Sequence, residues 1–118
     1  RGFGNVHFLG ERPHAALPSY SQHWDASLLP FANNAQIRAC NPLKLREYLA
    51  TGRPVVSTDF PALDDYRDVV HCVDSVTRLV TTLRHCGTLA RNPSQIEAVA
   101  GYDWSVQADK VAMWLDRL

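Results

Sequence analysis

Six residues between positions 38 and 47 have the types and spacing to bind an anion beside a polyol: Arg38, Asn41, Pro42, Leu43, Lys44 and Glu47. Asn41 is a favourable N-cap, and Pro42 fits the first helical position, where its missing N–H costs nothing. The amides of Leu43 and Lys44 then fall in the first turn of a helix, where free N–H groups and the positive dipole end favour a phosphate. Glu47 lies one turn after Leu43, so its carboxylate can share that face and accept hydrogen bonds from a ribose. By composition alone Glu47 reads as a solvated helix glutamate, and its place in a proline-started helix favours the ligand reading. Lys44 is either a surface lysine or the neutraliser of a phosphate, since a first-turn cation opposes the dipole unless an anion is bound. Arg38, in the preceding loop, is likewise a surface residue or a phosphate clamp.

Other chemistries find little support. The histidines, at positions 7, 14, 23, 71 and 85, lack zinc-ligand spacing, and no metal site is expected. Asp64 and Asp65 are adjacent acids of a polar loop, which ordinarily point apart into solvent. Ser57 has no GxSxG context, and neither GxGxxG nor GxxxxGK[ST] occurs, which argues against a dehydrogenase or a P-loop enzyme. No cofactor is implied.

The elements that would position these residues read as alternating strands and helices. Asn5 to Leu9 (NVHFL) is expected as a first strand, closed by Gly10. A helix begins near Leu17, with Leu17, Tyr20 and Trp24 at helical spacing and Pro18 tolerable in its first turn. Ala26 to Leu29 reads as the second strand and Pro30 to Cys40 as a polar loop. The helix at Asn41 stops at Gly52, and Pro54 to Ser57 follows as a short apolar strand of the kind covered on both faces of a parallel sheet. Val69 to Val73 is a fourth strand. Three more helices follow: one capped by Asp74 or Ser75 and ending near Gly87, one over Pro93 to Ala100, and one from about Trp104 to Leu118. The last has its stripe on Trp104, Ala108, Val111, Leu115 and Leu118, and Met113 and Trp114 spill onto a second face, so Trp114 is expected to be exposed or to meet another chain. The pattern is α/β: a partial Rossmann-like parallel sheet flanked by helices.

With 118 residues the chain is one domain, and its 12 basic and 12 acidic residues leave no net field to draw it to nucleic acid or an anionic membrane. Hydrophobic residues at 46% and charged residues at 20% give an ordinary globular balance rather than a disordered one. Cys40, Cys72 and Cys86 are odd in number without CxxC spacing, which argues against a disulfide framework and leads to the expectation of a cytoplasmic protein. The abrupt start of the chain in an apolar run reads as a piece of something longer.

NVHFLG at Asn5, DASLLPF at Asp25 and above all NPLKLREYLATGRPVVST at Asn41 resemble the donor-binding half of bacterial glycosyltransferases of the group 1 (family 4) type. That resemblance covers nearly the whole chain. It implies the C-terminal half of a GT-B fold, in which two Rossmann-like domains face each other. Residues 1–118 would then be the donor nucleotide-sugar-binding domain, incomplete at its N-terminus. A UDP- or GDP-sugar would be the ligand, and acceptor and catalytic groups would lie on a missing N-terminal domain, through which peripheral membrane association would also run. By the same match Glu47 is the second glutamate of a Glu-x7-Glu signature and holds ribose hydroxyls, while the Leu43 and Lys44 amides hold the diphosphate. The first glutamate falls on Ala39, and the glycine that usually opens the helix is Pro42. The resemblance further implies a strand order in which two strands separate Asn5 to Leu9 from Ala26 to Leu29, supplied from outside this numbering. The competing expectation, which Ala39 favours, is a non-catalytic nucleotide- or partner-binding α/β module.

Overall fold

The computed structural model describes residues 2–118. Its centre is a three-stranded parallel sheet, β1 (Ser27–Leu29), β2 (Val55–Thr58) and β3 (His71–Val73), in the order β1-β2-β3. Ser27 lies opposite Val55 and Leu29 opposite Ser57, while Val56 lies opposite His71 and Thr58 opposite Val73. Among the described residues six α-helices accompany it: α1 (Leu17–Ser21), α2 (Ala35–Arg38), α3 (Leu43–Leu49), α4 (Val76–Cys86), α5 (Pro93–Val99) and α6 (Trp104–Leu115). The α/β class and the Rossmann-like parallel sheet read from the sequence are what the chain adopts.

Successive side chains of a strand point to opposite faces, and β2 uses both. Val55 packs with Leu29, Leu45, Leu49, Phe60, Leu63, Tyr66, Val70 and Val99, beneath α3 and α5. Val56 turns the other way, to Val73 and Cys86, with Leu79 and Leu83 of α4 closing that side. Pro54 to Ser57 is buried throughout, as its apolar run predicts. Beyond β2 and β1, Ser57 Oγ donates to the Leu29 carbonyl at 3.1 Å and Thr58 Oγ1 to the Phe31 carbonyl at 2.8 Å, which ties the outgoing ends of both strands together.

Three expectations need correction. Asn5 to Leu9 forms no strand: no sheet edge lies alongside it, and Phe8 is 95% exposed. A strand gains its stability from ladder bonds and cross-strand contacts, and alternation alone supplies neither. The polar loop of Pro30 to Cys40 contains α2, because Asn34 extends its backbone and its Oδ1 accepts from the Ile37 N–H at 2.9 Å, as an N-cap does. The helix begun at Leu17 ends at Ser21, so Trp24 lies past it in a turn.

Ser75 caps α4, accepting from the Arg78 N–H at 3.3 Å, and Asp103 caps α6, accepting from the Ser105 N–H at 2.8 Å. No residue of α6 is buried; Trp104 is 80% and Trp114 65% exposed, so both its stripe and its second face meet solvent. The N-terminal segment is exposed, and the chain spans 58 Å by 30 Å by 29 Å.

The turn from α3 into β2 rests on Gly52, whose φ of 68° lies where an L side chain is strained. A Cβ there would also stand 3.1 Å from Ile96 Cδ1 of α5. Gly52→Ala is therefore expected to cost at least about 1–2 kcal/mol, with urea denaturation showing a lower midpoint at unchanged slope.

Candidate functional site

Helix α3 is amphipathic in the ordinary way: Leu45 and Leu49 are fully buried beneath it, and Lys44, Glu47 and Tyr48 follow at i, i+3 and i+4 on another side, with Thr51 in the turn just past the helix end. Its beginning differs from the sequence expectation by one residue. Pro42 is extended (φ −72°, ψ 127°) and occupies the capping position itself, so the helix starts at Leu43. Asn41, pushed one residue too far back to cap, instead accepts a hydrogen bond at Oδ1 from Arg46 Nη2 at 3.1 Å. The Leu45 N–H donates to the Pro42 carbonyl at 3.2 Å, and among the described residues the amides of Leu43 and Lys44 have no partner.

The face carrying Lys44, Glu47, Tyr48 and Thr51 opens onto a cavity of about 600 Å³ between α1, α3 and the start of α5. Leu17, Pro18, Trp24, Tyr48 and Ile96 give it apolar walls, with Lys44, Glu47, His14 and Arg91 as its charged or titratable groups. Trp24 meets the Tyr48 ring edge-on at 6.2 Å, which fixes the turn after α1 against α3. The C-terminal end of α1 is held from two directions, since Arg53 Nε and Arg91 Nη2 both donate to the Gln22 carbonyl, at 3.2 and 3.1 Å. Cations here satisfy a helix-end carbonyl that has no partner within the helix. Glu47 is about half exposed, and its Oε1 stands 3.4 Å from His14 Nε2, a contact that becomes an ion pair when the imidazole is protonated.

Arg38 does not line this cavity. Its Nε donates to Asn33 Oδ1 at 3.1 Å, and both residues line a second depression of about 370 Å³ with Asp59, Phe60, Pro61, Asp64 and Arg67. There Arg67 is already paired, to Asp64 at 2.7 Å and Asp59 at 3.0 Å. The structure therefore brings Lys44 and Glu47 together and places Arg38 apart. Ala39 offers only a methyl group at the end of α2.

Among the described residues no group of three or more His, Cys, Asp or Glu side chains is placed to hold a metal, and no helix is long and apolar enough to cross a membrane. Burial pushes the thiols of Cys72 and Cys86 up, so neither is poised as a thiolate.

The chain is 36% identical over 58 residues to a candidate teichuronic acid biosynthesis glycosyltransferase, TuaH, of Bacillus subtilis (strain 168). The match takes in 49% of this chain and spans 15% of TuaH. No family model matches, and no solved structure matches significantly. The similarity to a glycosyltransferase is thus distant and partial.

His14, Trp24, Tyr48 and Arg91 were absent from the sequence-level site. Nothing local marks His14 or Arg91, which reach the cavity from 33 and 44 residues away from Glu47 in sequence. Tyr48 recurs with Leu45 and Leu49 at helical spacing in the sequence, and the structure half-buries it against the core while it also lines the cavity.

On the inner side of this helix Tyr66 is buried, and its hydroxyl lies beside Tyr102 and Arg46 without reaching hydrogen-bond geometry with either. Burial, ahead of the Tyr102 hydroxyl, raises its pKa above the ordinary 10.0. The fold thus holds this proton more tightly than the unfolded chain does, and the associated stability is present below pH 10.0 and lost as pH rises through the folded value. An alkaline phenolate phase above pH 10.0, absent in Tyr66→Phe, is expected in an absorbance titration of the folded chain.

Proposed function

We propose that this chain is the donor-binding portion of a glycosyltransferase that uses a nucleoside diphosphate sugar. The observation that carries the reading is the similarity to TuaH in a chain whose α3 sets Lys44 and Glu47 together on one cavity wall. Glu47 would accept hydrogen bonds from the ribose hydroxyls, and its half-exposed carboxylate can exchange the His14 contact for a ligand. The unpartnered amides of Leu43 and Lys44 would take the diphosphate, with the Lys44 ammonium adding charge. Pro42 presets the extended step that leaves those amides free, and Asn41 flanks them. Arg38, a phosphate clamp in the sequence reading, lies apart in the second depression, and Ala39 supplies no carboxylate for the sugar. Transfer itself would need acceptor and catalytic groups from an acceptor domain outside this chain, at the cytoplasmic face and with peripheral membrane contact through that domain. No metal and no cofactor enters the scheme.

Ala39 favours a second reading, a nucleotide- or partner-binding module without catalysis, because the carboxylate that would contact the sugar is replaced by a methyl group. Calorimetry separates ligand classes for both. Under the donor reading UDP or GDP binds the chain, with ADP and inorganic phosphate weaker. Equal binding of phosphate and every nucleoside diphosphate, or none at all, would remove the nucleotide from the account. Where binding is seen, Glu47→Gln is expected to weaken it by about 1–2 kcal/mol, as a charge-assisted hydrogen bond becomes a neutral one. Unchanged affinity in that variant would take Glu47 out of the site.

A further inference from the structure

Among the described residues the Leu43 and Lys44 amides of the first turn have no partner, and the start of α3 that presents them has no side-chain cap. What holds it comes from the other end of the chain. Arg46, one turn into the helix, reaches back with Nη2 to Asn41 Oδ1 at 3.1 Å. Its guanidinium carbon lies 4.3 Å from the centre of the Tyr102 ring, in the short turn between α5 and α6. The Nε of Arg46 and the hydroxyl of Tyr66 are both buried without a hydrogen-bond partner, so the guanidinium is inserted between helix and turn rather than free in solvent. A planar cation on an aromatic face, with one fork nitrogen directed at a carboxamide, has little freedom to move.

We propose that Arg46 is a positioning residue for the start of α3: braced on the Tyr102 ring, it holds the Asn41 side chain and with it the turn that leaves the Leu43 and Lys44 amides free. Asn41 then works through Arg46, its carboxamide oxygen already committed, and not as an acceptor for ligand hydroxyls. The functional meaning of the brace rests on the donor-site reading above; its physical existence does not. The turn at Tyr102 also leads directly into α6, which begins at Trp104, so whatever displaces that turn acts on the start of α3 by the same contact.

The test is amide hydrogen exchange by NMR on the full chain, read at Leu45, whose N–H bonds to the Pro42 carbonyl, with Val56 at the sheet centre as internal reference. Tyr102→Leu, at a position 46% exposed, is expected to speed exchange at Leu45 roughly two- to fivefold, the effect of losing one cation–π contact at a partly exposed site, and to leave Val56 unchanged. Tyr102→Phe keeps the ring and is expected to behave as the parent. Arg46→Lys keeps the charge and loses the fork, so it should speed exchange at Leu45 as well. The brace is overturned if Tyr102→Leu leaves Leu45 unchanged, if Tyr102→Phe has the same effect, or if Val56 changes in step. Should Tyr102→Leu fail to fold, Arg46→Met is read at the same amides by the same criteria. Titration with UDP and GDP forms the second arm: where the parent binds, Tyr102→Leu should raise Kd by a similar factor and Tyr102→Phe should not. If no form of the chain binds nucleotide while the exchange pattern holds, the donor-site reading falls and the brace stands.

Discussion

The left-handed turn at Gly52 is the constraint on which the arrangement of the other elements depends. It ends α3 and reverses the chain so that β2 runs back beneath the helix it has just left. Its carbonyl accepts the Asn92 N–H at 2.8 Å, and the space a side chain would fill is taken by Ile96. One residue thus sets the relation of α3, β2 and α5, which between them supply Leu45, Leu49, Val55 and Val99 of the larger core. The same three elements fix the outward face of α3, so the orientation of Lys44 and Glu47 follows from a backbone requirement several residues away.

Short parallel strands need covering on both faces, and this chain covers them unequally. The face under α3 and α5 carries the larger apolar cluster, with the T-shaped pair Phe31 and Phe60 at 5.4 Å among its surroundings. The opposite face relies on α4 alone and leaves Leu28, opposite Val56, 41% exposed. The cavity lies on the better covered side, beside the helix that buries Leu45 and Leu49. That is the physical ground for expecting recognition there rather than at α4 or α6.

The sequence was legible where a local rule and a burial pattern agreed. Val55 and Val56 between a glycine stop and a polar link could be little other than a buried strand, and a cap at Asp74 or Ser75 was readable before the amphipathic run, the structure choosing Ser75. It was misleading where the outcome depended on a distant partner: Val6, Phe8 and their neighbours alternate as a strand does, yet no ladder receives them. Asn34 carried a readable capping signal that the polarity of its surroundings obscured. At the site, Glu47, Lys44, Leu43, Pro42, Asn41 and Arg38 were all chosen from helix-start chemistry, and that logic reached the α3 face without seeing what stands opposite. His14, Trp24 and Arg91 arrive through the packing of α1 and the double hold on the Gln22 carbonyl, contacts that span 31 and 69 residues and leave no local mark.

The outer edge of β1 carries a consequence for the behaviour of the chain in solution. The N–H of Ser27 is turned to β2, donating to the Pro54 carbonyl at 2.9 Å, and alternation in a parallel ladder turns Leu28 away, towards the open side. The next position of that parity is Pro30, which has no N–H to offer. A strand laid along this edge would find the Leu28 donor and then, on the outgoing side, a blank. The proline that closes the strand therefore limits how far any neighbouring strand can pair along that edge.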